Sequence, residues 1–107
     1  MTSPEREKLP NRRAHELVNF EHDGFRYVAG VGRFNDDSVA EIFINAAKTG
    51  TTLESIARDA AILASICLQY GASVDTLRHA LTRNGDSSAS GVLGTLLDLL
   101  ATQKRAS

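Results

Sequence analysis

Residues 41–72 read "EIFINAAKTGTTLESIARDAAILASICLQYGA", and within them the hydrophobic period changes once. Before Lys48 the run is short, β-branched and aromatic, as a half-buried strand requires. After Gly50, the residues Leu53, Ile56, Ala60, Leu63, Cys67 and Tyr70 recur at helical spacing. "AAILASICL", residues 60–68, is apolar at every position except Ser65, so this helix is expected to need cover on more than one side. The stripe assigns Leu63, together with Phe43 of the strand, to the main core and reads Cys67 as a small core residue. Gly71 stands where a left-handed cap would end the helix.

Upstream of this stretch lies a hairpin. Asp23-Gly24 is the signal for a two-residue primed turn, because both positions need positive φ. A turn there pairs Phe20 with Tyr27, Val18 with Ala29 and His22 with Phe25 on one face. The other face pairs Glu21 with Arg26, opposite charges across the strands, and carries Leu17 and Val28. A second turn at Asn35-Asp36-Asp37 leads into "SVAEIFINA", residues 38–46, the third strand.

Downstream, Ser73 is placed to cap a short helix through Val74, Leu77 and Leu81, closed by Asn84-Gly85. "DSSAS", residues 86–90, is a polar loop. "GVLGTLLDLLATQ", residues 91–103, sets Leu93, Leu96, Leu97 and Leu100 on one stripe of a last helix. Three strands followed by three helices predict an α+β fold, a three-stranded antiparallel meander with the helices packed on one face. Residues 14–101 are expected to form the domain. Residues 1–13, with two prolines and six charges, read as a flexible arm, and residues 102–107 as a tail.

A chain of 107 residues supports one modest core, burying roughly 60–70% of its unfolded surface. Its net charge is −1, yet each end is net basic, which leaves −5 on residues 14–103. An acidic body is a poor match for nucleic acid. The single cysteine excludes an internal disulfide and a cysteine-based zinc site supplied by one chain. No apolar run approaches the ~20 residues that cross a bilayer, and the first residues contain no secretory pattern. The expectation is a cytoplasmic protein without a membrane partner. Apolar residues in excess of what this fold can cover predict a homodimer.

Lys48-Thr49-Gly50-Thr51-Thr52 is the stretch with most chemical promise. A Walker loop needs GxxxxGK[ST], whereas "INAA" precedes Lys48 here, so this is not one. Two readings stand. In one, free amides at the helix start, the threonine hydroxyls and Lys48 hold a phosphate, joined by Ser88, Ser90 and Gly91 of the later loop. In the other, Thr51 or Thr52 caps the helix, Glu54 supports its first turn, and Gly50 relieves the backbone. His15 and His22 have opposite strand parity and His79 lies on another element, so the three do not converge. No catalytic residue, metal ligand or cofactor is expected.

An E-I-F-I strand, a K-x-G turn and an apolar helix closing on L-Q-Y-G together resemble the TSCPD domain. That domain occurs near the C-terminus of adenosylcobalamin-dependent ribonucleotide reductases and in short bacterial proteins. The resemblance covers roughly residues 13–100 and extends to "LRHALTRNGDSSASGVLGTLLDLL". The T-S-C-P-D string itself is absent, and one cysteine cannot supply the radical and redox thiols of such a reductase. The resemblance therefore implies an accessory or regulatory module, with a nucleotide or a ribonucleotide reductase as its partner, rather than a catalyst.

Overall fold

A computed structural model describes residues 5–6, 15–48 and 50–103. Strands β1 (Glu16–His22), β2 (Phe25–Arg33) and β3 (Val39–Ala46) are followed by helices α1 (Thr52–Gln69), α2 (Val74–Ala80) and α3 (Val92–Thr102). The sheet is antiparallel in the order β1-β2-β3, the meander and α+β class expected from the sequence.

The hairpin register is the one set by its side chains. Phe20 faces Tyr27, Glu21 faces Arg26 and His22 faces Phe25. Asp23 and Gly24 have φ of 50° and 81°, the pair of left-handed residues that a type I′ turn demands. Phe20 and Tyr27 stack with centroids 5.5 Å apart. The second turn follows different rules. Phe34 and Ser38 are joined by a 2.9 Å backbone bond, Asp37 is left-handed at φ 73°, and Asp36 accepts from the Ser38 amide and hydroxyl. Asn84–Ser88 repeats this arrangement, with Asp86 bonded to Ser88 and Ser87 at φ 71°. The "polar loop" is thus a tight turn closed by an Arg83–Ala89 bridge.

One sheet face, with Phe20, Tyr27, Ala29, Val31, Ile42 and Ile44, packs with Ala57, Ala61 and Leu68 of α1 and with Leu96, Leu97 and Leu100 of α3. Both ends of α1 are built as the sequence implies. Thr51 caps the start, while Gly71 at φ 108° closes the end through Gly71–Leu68 and Ala72–Cys67 backbone bonds, a Schellman pattern. Ser73 caps α2 through the Thr76 amide.

The orientation of α1 departs from expectation. Its inward side carries Ala57, Ala61, Ala64, Ser65, Leu68 and Gln69, which lie along β3, the edge strand. The Ser65 hydroxyl accepts from the Ile42 amide at 2.8 Å and lies 3.1 Å from the Ile42 carbonyl, and Gln69 donates to the Ala40 carbonyl at 3.1 Å. The helix therefore satisfies backbone groups that an open edge would expose. Small side chains permit that approach. Consequently the stripe assigned to the core points outward: Leu63 is 65% exposed, and Cys67 is exposed too. Phe43, 49% exposed, lies on the opposite sheet face across from Gly30, so it is not a core residue either.

Of the expected arm, only Glu5 and Arg6 are described; both are exposed, and the Arg6 guanidinium donates to the Gln69 side-chain oxygen. The rest of the arm, and residues 104–107 of the tail, lie outside the described residues. Among the described residues, no helix is long and apolar enough to cross a membrane.

Candidate functional site

The turn between β3 and α1 places Lys48 and Thr52 on the surface and Thr51 half-buried; Thr49 lies outside the described residues. Thr51 Oγ1 accepts from the Glu54 amide at 3.1 Å, and Glu54 Oε1 accepts in return from the Gly50 amide at 2.9 Å. This reciprocal arrangement satisfies two donors at the helix start with groups of the chain itself. Gly50 adopts φ 76°, which a β-branched side chain would resist. The Glu54 carboxylate is buried here, so its negative charge opposes an anion arriving at those same amides.

A depression of about 340 Å³ opens beside this turn, lined by Phe25, Arg26, Tyr27, Ala47, Lys48 and Thr51, among others. The Ala47 amide bonds the Arg26 carbonyl at 3.0 Å, which draws the β1–β2 hairpin end against the turn. Arg26 is largely exposed and only loosely paired with Glu21, at 3.7 Å. The sequence reading missed Phe25 and Arg26. Their place beside Lys48 follows from a register that sets Tyr27 opposite Ala46, a step that needs all three strands at once.

Ser88, Ser90 and Gly91 are not gathered around Lys48. Ser88 lines a separate depression of about 670 Å³ with His22, Asn84, Thr95 and Asp98. Ser90 donates to Asn84 at 2.8 Å, and the Gly91 carbonyl accepts from the Thr95 amide and hydroxyl at the start of α3. The histidines also stay apart. His22 Nε2 donates to the Ser90 carbonyl at 3.0 Å while Nδ1 meets the Thr95 hydroxyl at 2.8 Å. His15 bonds the buried Glu41 carboxylate at 2.7 Å on the other sheet face. Glu41 lies so close over Gly32 that a Cβ there would meet its Cγ at 2.9 Å. His79 Nδ1 meets the Asp75 carbonyl within α2, at 2.7 Å.

One cluster had no counterpart in the sequence reading. Asp98 of α3 takes a two-pronged pair from Arg83, both contacts 2.7 Å, and a 2.8 Å bond from Arg78 of α2. The Arg83 guanidinium, and Arg78 after it, hold the Asp98 carboxyl well below the usual carboxylate range. Its three members come from α2, the following turn and α3, so it ties together elements that share no local sequence signal.

The sequence is 36% identical over 80 residues to the vitamin B12-dependent ribonucleotide reductase of Agrobacterium fabrum strain C58, a match covering 75% of this chain. It is 34% identical over 90 residues, 84% of this chain, to the protein of the same name from Bradyrhizobium diazoefficiens strain USDA 110. The matched regions are 6% and 7% of those proteins' lengths. No family model matches the sequence, and no solved structure matches it. By these likenesses the chain is related to a short segment of the vitamin B12-dependent ribonucleotide reductases.

Proposed function

We propose that this chain is a non-catalytic accessory module of the TSCPD type that serves ribonucleotide reduction in the cytoplasm by binding rather than by chemistry. The observation that carries the reading is the outward side of α1, where Leu53, Ile56, Ile62, Leu63 and Tyr70 are all exposed on one helix. Contiguous apolar surface of this kind marks a contact surface. The polar groups that would be candidates for proton chemistry are meanwhile engaged in holding the fold: His22 between β1 and the 90–95 segment, Asp98 between α2 and α3. The reductase named by the relatives is carried over as a partner of the module as a whole, without being assigned to this face.

A second reading rests on the depression beside Lys48. Two exposed cations, Arg26 and Lys48, flank it with the exposed Phe25 ring, which is the chemistry of a nucleotide phosphate and base. One experiment addresses both. Ribonucleotide reduction by a vitamin B12-dependent reductase is measured with and without the purified chain, beside a thermal-shift series of ribo- and deoxynucleotides. The chain alone should reduce nothing, and its addition should change the reductase rate. An unchanged rate, or reduction by the chain itself, sinks the first reading. A nucleotide at 100 times its dissociation constant stabilises by about 2.7 kcal/mol; Lys48→Ala should remove that shift, and its absence in the parent sinks the second.

A further inference from the structure

The exposed stripe of α1 has an order of its own. Leu53, Ile56, Ala60, Leu63, Cys67 and Tyr70 are spaced 3-4-3-4-3, the repeat of a helix–helix seam. The contact of α1 with its own sheet uses a different stripe, centred on Ala57, Ala61 and Leu68. The seam runs along nearly the whole helix, about 25 Å at 1.5 Å per residue, and among the described residues Leu53, Ile56, Leu63, Cys67 and Tyr70 along it are all exposed.

Resting on the reading of this face as a binding surface, we infer that its occupant is a second copy of the same chain, with the two α1 helices packed antiparallel about a two-fold axis. The spacing reads the same in both directions, which is the condition for a surface to be its own partner. An antiparallel pair sets Leu53 against Tyr70, Ile56 against Cys67 and Ala60 against Leu63. Two of these three layers oppose a larger side chain to a smaller one, so the seam fills. A parallel pair would instead stack Ala60 on Ala60 and Tyr70 on Tyr70, leaving a void at one layer and crowding at another. No charged residue occupies the stripe. Without Ile62, which lies off the stripe toward Arg58, the seam withdraws on the order of 600 Å² of apolar surface from the two copies together, taking about 25 cal/mol per Å² and 1.5–3 kcal/mol per buried aliphatic side chain. At the apolar share of homodimer contacts this corresponds to roughly 900 Å² in all, the size of a weak, transient contact. The dimer should therefore be reversible.

The test combines mass and register. Light scattering across a dilution series should show a dimer that dissociates toward the 11.5 kDa chain, and Leu63→Glu should give the monomer at every concentration. Since Leu63 is already exposed, the variant should keep the parent circular dichroism. In the antiparallel seam the two Cys67 residues sit eleven residues apart along the axis, about 16 Å, beyond the ~7 Å reach of a disulfide. Mild oxidation of the parent should then give no covalent dimer, whereas Ile56→Cys should give one through Cys67 of the other copy. Arg58→Cys, on the same helix but off the stripe, should not. A parent that is monomeric at all concentrations overturns the inference, as does a parent that links through Cys67 as readily as the Ile56→Cys variant. A monomer that still alters the reductase rate would overturn the dimer while leaving the accessory role in place.

Discussion

α1 and α3 are both rich in aliphatic side chains, yet they direct them oppositely. α3 buries Leu96, Leu97 and Leu100 and leaves Leu99 at the surface. α1 buries Ala57, Ala61 and Ala64 and turns Ile56, Ile62 and Leu63 outward. The difference follows from what each helix meets. α3 lies over side chains of the sheet and of α1, where large residues fill volume. α1 runs beside the edge of β3, where it must come close enough for Ser65 and Gln69 to reach backbone atoms. There, small residues win the inward face, because distance to the backbone decides and not hydrophobicity.

The comparison can be broken most directly by truncating one leucine from each helix. Leu97 is fully buried, and Leu97→Ala should cost about 2–5 kcal/mol, the range for a leucine removed from a packed core. Leu63→Ala, measured where the chain is monomeric, should stay within about 0.5 kcal/mol of the parent, as exposed positions do. Urea denaturation of both variants decides it. Equal losses would mean that α1 packs through its large side chains after all.

The next effect is smaller and runs the other way, by addition. Ala61, 1% exposed, faces the sheet where α1 meets β3. Ala61→Leu should destabilise by about 1–3 kcal/mol through overpacking, even though leucine is nearly as good a helix former. A neutral or stabilising result in the same denaturation experiment would show slack between α1 and the strand, and the size argument would fail.

These positions also show which parts of the fold can be read from sequence. The hairpin register was legible because two independent features agreed, the sorting of aromatics to one face and the Glu21–Arg26 pair on the other. Gly71 and Ser73 were legible because caps are local chemistry. The facing of α1 was not, since periodicity identifies a stripe but not what covers it. Its alanines, Ser65 and Gln69 formed a second stripe whose meaning depends on an edge strand offering donors and acceptors. The Lys48 turn was legible as a turn, with Thr51 available as a cap. Arg26 beside it was not, nor was Asp98 with Arg83, because the first needs the third strand in register and the second needs α2 folded back on α3.

The smallest of these effects concerns the polar ties, and it sharpens the contrast between the helices. α1 is tied to β3 by neutral groups, a hydroxyl and an amide on backbone atoms. α3 is tied to α2 and its following turn by a carboxylate between two guanidinium groups. Only the second tie responds to pH. Asp98 is held below its ordinary pKa in the folded chain, with Arg83 the main cause. Between the lowered folded value and the ordinary unfolded one, the unfolded chain binds more protons, so stability rises with pH through that window. The contribution is complete above about pH 5 and fades as pH falls through the folded value. Asp98→Asn should therefore cost about 1–2 kcal/mol at pH 7, after allowing for the partial exposure of the cluster. The gap between parent and variant should hold from pH 7 to about pH 5 and narrow below that. Ser65→Ala, which removes the neutral tie of α1, should leave a gap with no such dependence. A gap for Asp98→Asn that stayed constant from pH 7 down to pH about 2 would show that the carboxylate's charge is not what holds α3 to α2.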